Sequence, residues 1–344
     1  MKRVWWPFFI VVPLFAAAVA LIIWRGPDWH TVRSAFTVVT WGWVAAAIGL
    51  NLLSVLTRSV AWDAAIEQSI EPPHPAYPLV FSAFCVGLFA NAVLPGRVGE
   101  LARVAVLRRR MTGRKGTTAT LIGSVFAHRM FDIFPTVTLV VWVLFAAKIP
   151  GWAYTSLALA LIVGIVLFLV AVVLARRQHR ELDELGPVRL LLARARQGLA
   201  VMRSPLPALK AATFQFLGWT CQLFAVWSAM RAFHIHQPLA AAGLVLVLMN
   251  VATIFPIWPG NVGLVQIAVA TPLVNYGVDY TRGIAFGIGL QAIEASVGIG
   301  IGLVFLAREG LSYATLKQIE EAPDDAIEEV PELEPERART GVPG

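Results

Sequence analysis

The chain has 344 residues, of which 58% are hydrophobic and only 14% are charged, and its mean hydropathy is +0.70. No soluble globular protein can bury that much apolar surface, so the composition predicts an all-α integral membrane protein that crosses the bilayer several times. The net charge of +7 comes from basic residues near the ends of the apolar segments. That distribution indicates membrane orientation rather than nucleic-acid binding.

The first apolar segment follows Lys2 and Arg3 and runs from Val4 to Trp24. About 20 residues of helix are enough to cross a bilayer. The segment is too long for the apolar region of a signal peptide, and no small-residue cleavage site precedes Arg25. It is therefore expected to be a retained first span.

Six segments are long and apolar enough to cross the membrane as single helices. They are residues 5–24, 43–62, 118–146, 154–175, 207–231 and 284–306. Two further apolar segments, 76–111 and 240–276, are interrupted at Pro95-Gly96 and within residues 254–263. Each is expected to form a broken or re-entrant helical hairpin, because non-helical backbone at membrane depth must be shielded by protein or by a wet cavity.

Clusters of lysine and arginine predict which ends of the helices face the cytoplasm. They lie at residues 2–3, 108–115, 176–180 and 308, which places both termini on the cytoplasmic side of the membrane. The first hairpin then enters from the inside and the second from the outside. The result is an inverted-topology repeat, which is typical of secondary transporters that bind ligands at broken helices. The alternative is a chance pairing of apolar segments, since sequence identity between the halves is not evident.

The predicted organisation has two membrane halves and a tail. The halves are residues 1–147, with the broken hairpin 76–111, and 148–307, with a cytoplasmic linker 176–205 and the broken hairpin 240–276. The basic linker either connects the halves or lies on the anionic inner leaflet. The tail, 308–344, is acidic and rich in proline, so it is expected to be disordered in the cytoplasm.

Three charged residues follow the break in the first hairpin. Arg97, Glu100 and Arg103 are spaced i, i+3 and i+6, so they share one helix face about 120° wide. A charge near the bilayer centre costs roughly 2.5–3.5 kcal/mol, so these three are unlikely to be idle. Glu100 can pair with one arginine and leave the other for a phosphate, and the backbone amides after the break also favour an anion. With Asn91 they predict one wall of a polar cavity; the alternative is a structural ion pair.

The next span carries a second polar cluster. Arg129 and Asp132 are three residues apart and can pair, either as a further part of the cavity or as a salt bridge that packs spans together. His128 is weak evidence for a proton relay. Arg58 and Trp62, near the inner end of the second span, are interpreted as snorkelling side chains without a function.

The break in the second hairpin carries no charge. Two prolines and two glycines within eight residues free backbone carbonyls and amides that a ligand can use. Asn261 and Gln266 are its polar flanks, and Glu294 of the last span is expected to face it. Glu294 is interpreted either as a proton- or cation-coupling group or as the partner of an interior arginine.

No catalytic motif, cofactor motif or metal-ligand spacing is present, and the two cysteines, Cys85 and Cys221, lie in apolar helix. The extramembrane segments are too short to fold a soluble catalytic domain. The sequence therefore predicts a protein that is not an enzyme and has no cofactor and no metal.

At the first hairpin the sequence resembles the flippase-like family whose best-known member is the membrane part of lysylphosphatidylglycerol synthase. The resemblance covers about residues 40–306. It depends on the arginine-x-x-aspartate pattern of Arg129 and Asp132, on a PGNVG break, and on an NxxxPGRxGExxR pattern formed by Asn91, Pro95, Gly96, Arg97, Gly99, Glu100 and Arg103. Two positions depart from it, since His128 and Gln266 stand where the family commonly has glutamate. The soluble lysyl-transferring domain of the synthase is absent from these 344 residues.

The resemblance implies lipid translocation or the handling of a lipid-linked precursor. The first hypothesis is a flippase-like protein that binds an anionic lipid or polyprenyl-phosphate headgroup between its two hairpins, with Arg97 and Arg103 on the phosphate. The alternative is a non-transporting accessory subunit of a lipid-modifying or glycosyl-transferring enzyme, which would be its partner. The oligomeric state is left open.

Overall fold

A computed structural model describes residues 28–94, 98–111, 117–149, 204–253 and 261–310, with isolated positions between 151 and 201. Within these ranges the chain is helical and contains no strand. The predicted first span, almost all of the linker, Arg97 and nearly the whole tail lie outside the described residues, as does most of the predicted fourth span. The all-helical prediction is confirmed for the part of the chain that is described.

The first half begins with α1 (Trp29–Thr37), a short exposed helix, and continues with the long α2 (Trp41–Ser69). Asp28 caps α1 by accepting hydrogen bonds from the His30 amide at 3.0 Å and the Thr31 hydroxyl at 2.7 Å. The Thr31 hydrogen bond lowers the pKa of Asp28 below its ordinary value. The remaining helices of this half are α3 (Tyr77–Val93), α4 (Gly99–Arg110), α5 (Thr117–Phe131) and α6 (Ile133–Ala146).

The second half has four described helices. They are α7 (Pro205–Ala232), α8 (Leu239–Ala252), α9 (Leu264–Val274) and α10 (Tyr280–Arg308). Pro205 occupies the first position of α7, where its missing N–H has no partner to lose. Asp279 caps α10 by accepting from the Arg282 amide at 3.2 Å.

Three helices of the described ranges are long and apolar enough to cross a membrane. They are Trp41–Ser69, Thr118–Ala146 and Tyr280–Arg308, which include the predicted second, third and sixth spans. The predicted fifth span, 207–231, lies within the 28-residue helix α7. However, α7 is not one of these three.

The third span is divided at Asp132, where α5 ends and α6 begins. The Thr136 amide donates to the Asp132 carbonyl at 3.1 Å, and the Thr136 hydroxyl donates to the same oxygen at 2.6 Å. Pro135 lies within the first turn of α6, and its ring nitrogen cannot donate to the carbonyl four residues earlier. The division between the two helices coincides with this missing bond.

Both predicted hairpins are broken helices. In the first, α3 ends at Val93 and α4 begins at Gly99; in the second, α8 ends at Ala252 and α9 begins at Leu264. Each of the segments 76–111 and 240–276 thus contains the end of one helix and the start of another, while residues 95–97 and 254–260 lie outside the described residues.

Helices α2 and α7 pack antiparallel at the centre of the molecule. The Ser54 hydroxyl donates to the Gly218 carbonyl at 2.8 Å, and the Thr40 amide donates to the Ala232 carbonyl at 3.0 Å. Two apolar cores lie along this pair. One surrounds the first hairpin with α2 and α5, and the other surrounds α8 with α6 and α7.

Helix α10 contacts both hairpins through glycines. A Cβ at Gly283 would meet Ala270 of α9 at 2.9 Å, and a Cβ at Gly302 would meet the Cys85 carbonyl of α3 at 3.0 Å. Glycines at such spacing allow helix backbones to approach closely within a membrane. The N-terminal half of α10 therefore packs on the second hairpin, and its C-terminal half packs on the first.

Candidate ligand-binding cavity

A partly open cavity of about 190 Å³ lies beside the first hairpin, between α2, α3, α4, α5, α7 and α10. Five of the residues predicted from the sequence to form a ligand site line it: Asn91, Glu100, Arg103, Arg129 and Glu294. The predicted Arg97 lies outside the described residues. The cavity thus brings together groups from four helices that the sequence separates by up to about 200 residues.

Glu100 lies at the centre of the ion pairs in the cavity wall. Its Oε2 accepts from Arg103 Nη2 at 2.8 Å within α4, and its Oε1 accepts from Arg129 Nε at 2.9 Å across to α5. Arg129 Nη2 also donates to Oε1. Arg129 thus directs two nitrogens of its guanidinium at one oxygen of the carboxylate, while Arg103 takes the other oxygen, so each hydrogen bond in the group is strengthened by charge on both partners.

Arg103 is the most deeply buried of the cavity's arginines, with only 4% of its side chain exposed. Its guanidinium carbon lies 4.6 Å from the ring centre of Trp62 and 5.6 Å from that of Phe84. The two rings stabilise its charge by cation–π interaction. Phe84 also contacts His128 edge to face, with ring centres 5.9 Å apart.

Asp132 stands behind the cavity wall and does not line the cavity. It accepts hydrogen bonds from Arg58 Nη2 at 3.1 Å, Arg129 Nη1 at 3.3 Å and Trp219 Nε1 at 2.7 Å, and also from Gln215 Nε2. Because these donors lie on α2, α5 and α7, Asp132 joins three helices. It orients two of the cavity's arginines.

Arg58 was expected to snorkel without a function, and the structure shows that this interpretation is wrong. Its side chain is only 19% exposed, pairs with Asp132 and lines the cavity. A Cβ at Gly218 of α7 would lie 2.5 Å from Arg58 Cγ. The side chain therefore runs inward, across a glycine of the neighbouring helix, because its charge finds a carboxylate there.

Asn91 holds the two arms of the first hairpin together. Its Oδ1 accepts from the Gly99 amide, the first of α4, at 2.9 Å. The arms approach closely at this level, since a Cβ on Gly87 would lie 2.8 Å from the Gly99 carbonyl oxygen. Asn91 thus supplies an acceptor for one of the backbone amides at the N-terminus of α4, which have no partner within the helix. Its side chain also forms part of the cavity wall.

The polar residues of the second hairpin do not line this cavity. Asn261 Nδ2 donates to the Ala252 carbonyl at 3.0 Å, closing the end of α8. Gln266 Oε1 accepts from the Gly263 amide at the start of α9, and its Nε2 donates to Gln291 of α10. The structure therefore gives both side chains roles in holding the broken segment. Glu294, expected to face this break, lines the cavity beside the first hairpin; residues 254–260 of the break lie outside the described residues.

Unpaired polar atoms are concentrated on the cavity wall. Among the described residues, eight buried side-chain nitrogen and oxygen atoms have no hydrogen-bond partner. Six of the eight belong to residues that line the cavity: Arg58, Arg103, His128, Gln222 and Glu294, with both ring nitrogens of His128 counted. Native proteins leave few such groups unpaired, so each is expected to have an unseen partner such as a water or a ligand.

The charges of the described cavity network do not cancel. In the ion-paired network, Arg58, Arg103 and Arg129 supply three guanidinium groups, and Glu100 and Asp132 supply two carboxylates. Glu294 also lines the cavity, but it forms no ion pair with these arginines. Arg129 is the most accessible of the three arginines, with 39% of its side chain exposed. The arrangement suits an anion that reaches the cavity from its open side.

The sequence analysis missed Asn51, Ser54 and Gln222, which also line the cavity. Asn51, Ser54 and Arg58 are spaced i, i+3 and i+7 in an apolar helix, so a polar stripe on α2 was the available signal. Gln222 had no comparable signal. No group of three or more His, Cys, Asp or Glu within the described ranges is arranged to hold a metal ion.

Residues 5–302 match the family described as the lysylphosphatidylglycerol synthase TM region. The chain belongs to this family. A UPF0104 membrane protein of Methanocaldococcus jannaschii is 23% identical over 204 residues, which cover 58% of this chain and 84% of that protein. No solved structure matches the chain significantly. The cavity therefore belongs to a member of the lysylphosphatidylglycerol synthase transmembrane family. In this chain, the first hairpin carries charged residues of the cavity wall.

Proposed function

We propose that the protein binds the phosphate of an anionic lipid, or of a lipid-linked precursor, in this cavity and moves that lipid across the membrane. The observation that carries the proposal is the surplus of guanidinium groups on a partly open cavity that contains unpaired donors. A guanidinium fork matches the oxygens of a phosphate as well as those of a carboxylate. Arg129 and Arg58 are the primary phosphate ligands, and Glu100 and Asp132 orient them.

The size of the cavity supports a headgroup as the ligand. Its volume of about 190 Å³ is smaller than the roughly 300–1,000 Å³ of sites that enclose drug-sized molecules. A phosphate with a small substituent fits such a space, whereas the acyl chains remain in the bilayer. Exposed apolar side chains such as Leu52, Leu53 and Leu56 on α2 provide a surface suited to those chains.

The packing of the helices supports the inverted repeat as part of this proposal. In the first half, α3 packs on α10 and α4 packs on α5; in the second, α8 packs on α6 and α9 packs on α10. Each hairpin thus places its first arm on the last span of the other half and its second arm on the last span of its own half. Exchange of the halves preserves this pattern, and it also exchanges α2 with α7, the central antiparallel pair.

The full proposed architecture has six spans and two broken hairpins, in a bacterial plasma membrane, with both termini in the cytoplasm. Membrane lipids are the proposed partners, and the protein is proposed to act as a transporter rather than as an enzyme. Binding at broken helices that occupy matching positions of two inverted halves is the arrangement used by many secondary transporters. The half that contains the first hairpin is proposed to bind the anion, because that hairpin carries the charged residues.

Lipid translocation in proteoliposomes tests the proposal. The full chain is reconstituted with fluorescent phosphatidylglycerol, and the movement of probe between leaflets is followed by chemical quenching. We expect Arg129→Gln to slow movement at least tenfold, because the loss of a hydrogen bond to a charged group costs about 1.5–3 kcal/mol. Arg33→Gln, at an exposed arginine of α1, is the matched control and should leave the rate unchanged. Equal rates for both variants and the wild type would refute the phosphate assignment.

A further inference from the structure

The cavity has a second polar end, which contains acceptors instead of arginines. Gln222 of α7 and Glu294 of α10 both line the cavity, and neither helix supplies one of its arginines. The two helices that carry these side chains pack against each other. The proposed phosphate site does not use this pair.

Both side chains of this acceptor pair, Gln222 and Glu294, have an oxygen that lacks a donor. Oε1 of Gln222 and Oε1 of Glu294 are buried without a hydrogen-bond partner among the described residues. In the same part of the chain, no lysine or arginine nitrogen lies within 4.0 Å of the Glu294 carboxylate. Burial of an acceptor without a donor costs about 1–3 kcal/mol, and more for a carboxylate. A donor group that enters the cavity would remove this cost.

Gln222 and Arg58 lie on opposite sides of the Ser54–Gly218 contact between α2 and α7. On α7, Gln222 is one turn beyond Gly218, where a Cβ would meet the Arg58 side chain. On α2, Asn51 also lines the cavity and precedes Arg58 by two turns. At about 1.5 Å per residue, the two ends of the cavity are separated by roughly 5–10 Å. The arginine end is the one nearer to the basic C-terminus of α4.

A headgroup that spans both ends needs two chemically different parts. Resting on the proposed function, in which the arginines hold the phosphate, we propose that Gln222 and Glu294 select the group beyond it. They accept hydrogen bonds from a hydroxyl or an ammonium group at the far end of a phosphodiester headgroup. The protein therefore discriminates among phospholipids by the donor on the headgroup and not by the charge of the phosphate alone.

Matched lipid pairs test this selection. Native mass spectrometry of the purified full chain measures the binding of phosphatidylethanolamine against phosphatidylcholine, which lacks N–H donors, and of phosphatidylglycerol against phosphatidylethanol, which lacks hydroxyls. We expect the donor-bearing lipid of at least one pair to bind roughly tenfold more tightly, equivalent to about 1.4 kcal/mol. A preference in the first pair identifies an ammonium group, and a preference in the second identifies a hydroxyl.

Variants of the acceptor pair make the test specific. Glu294→Ala should abolish the preference, whereas Glu294→Gln should retain a preference for hydroxyl and lose one for ammonium, because glutamine accepts without charge. Gln222→Leu provides an independent variant if Glu294→Ala does not fold, and Glu67→Gln, at an exposed acid of α2, is the control. A wild type without preference, or a preference that survives the loss of either acceptor, would overturn the inference.

The same measurements separate this inference from the proposed function. Arg129→Gln should weaken all four lipids alike and leave the ratio within each pair unchanged. If Arg129→Gln weakens none of them while the donor preference is present, the phosphate assignment fails and the acceptor pair stands. If Arg129→Gln weakens all four and Glu294→Ala changes no ratio, the phosphate assignment stands and the acceptor pair fails.

Discussion

Replacement of Asp132 by asparagine should destabilise the folded protein because it removes the charge that joins three helices. The aspartate pairs with Arg58 of α2 and Arg129 of α5, and it accepts from Trp219 of α7. Asparagine has nearly the same shape and retains one acceptor oxygen. The variant therefore removes charge while it conserves volume, and Arg58 is left without a carboxylate.

The magnitude follows from the burial of the pair. The side chains of Asp132 and Arg58 are 15% and 19% exposed, so the pair is mostly removed from water. The loss of one partner of a buried ion pair costs about 3–5 kcal/mol, and the residual exposure and the remaining acceptor reduce this to about 2–3 kcal/mol. By the relation for soluble domains, of roughly 2–4 °C per kcal/mol, the midpoint of thermal unfolding should fall by about 4–12 °C.

Thermal unfolding of the detergent-purified protein, followed by circular dichroism, measures this change. The matched control is Asp28→Asn at the N-cap of α1, where asparagine caps as well as aspartate; its midpoint should stay within about 1–2 °C of the wild type. Arg58→Met should lower the unfolding midpoint less in the Asp132→Asn variant than in the wild type. In that variant the guanidinium has already lost its carboxylate, so its removal relieves an unpaired charge. Additive costs for the two changes, or a wild-type midpoint for Asp132→Asn, would show that the pair is not coupled.

Two further substitutions probe the hairpin and its packing, each by the same unfolding measurement. Asn91→Ala should lower the free energy of unfolding by about 1–3 kcal/mol, since it leaves the buried Gly99 amide without an acceptor; Asn91→Asp, which keeps the acceptor, should lose less. Gly302→Val should cost about 1–3 kcal/mol or more, because its side chain would meet the backbone of α3 at Phe89. Gly300→Val, at a glycine of α10 with open space around it, should cost less than about 1 kcal/mol, and equal losses at both glycines would contradict the packing argument.

Local spacing explains which parts of the site could be predicted from the sequence. Glu100 and Arg103 pair, as do Arg129 and Asp132, and each pair is three residues apart on one helix. Two side chains three residues apart on a helix are neighbours on its surface, whatever the tertiary structure is. The breaks of both hairpins could also be predicted from nearby residues alone, because proline and glycine disfavour a helix whatever packs around it.

The contacts that could not be predicted join helices far apart in the chain. Arg58 and Asp132 are 74 residues apart, and Gln215 and Asp132 are 83 residues apart. An arginine near the end of a span has the same local sequence whether it reaches water or a buried carboxylate. For the same reason, the position of Glu294 on α10 did not say which of the two hairpins shares its face, although it was predicted to be a cavity residue and lines the cavity.

The glycine faces of α10 have a mechanical consequence. Gly283 and Gly302 touch different hairpins near opposite ends of one 29-residue rod. Backbones that meet across glycines can slide or pivot without first disengaging interlocked side chains. Because one continuous helix contacts both broken segments, a displacement of α10 would be transmitted to both hairpins at once.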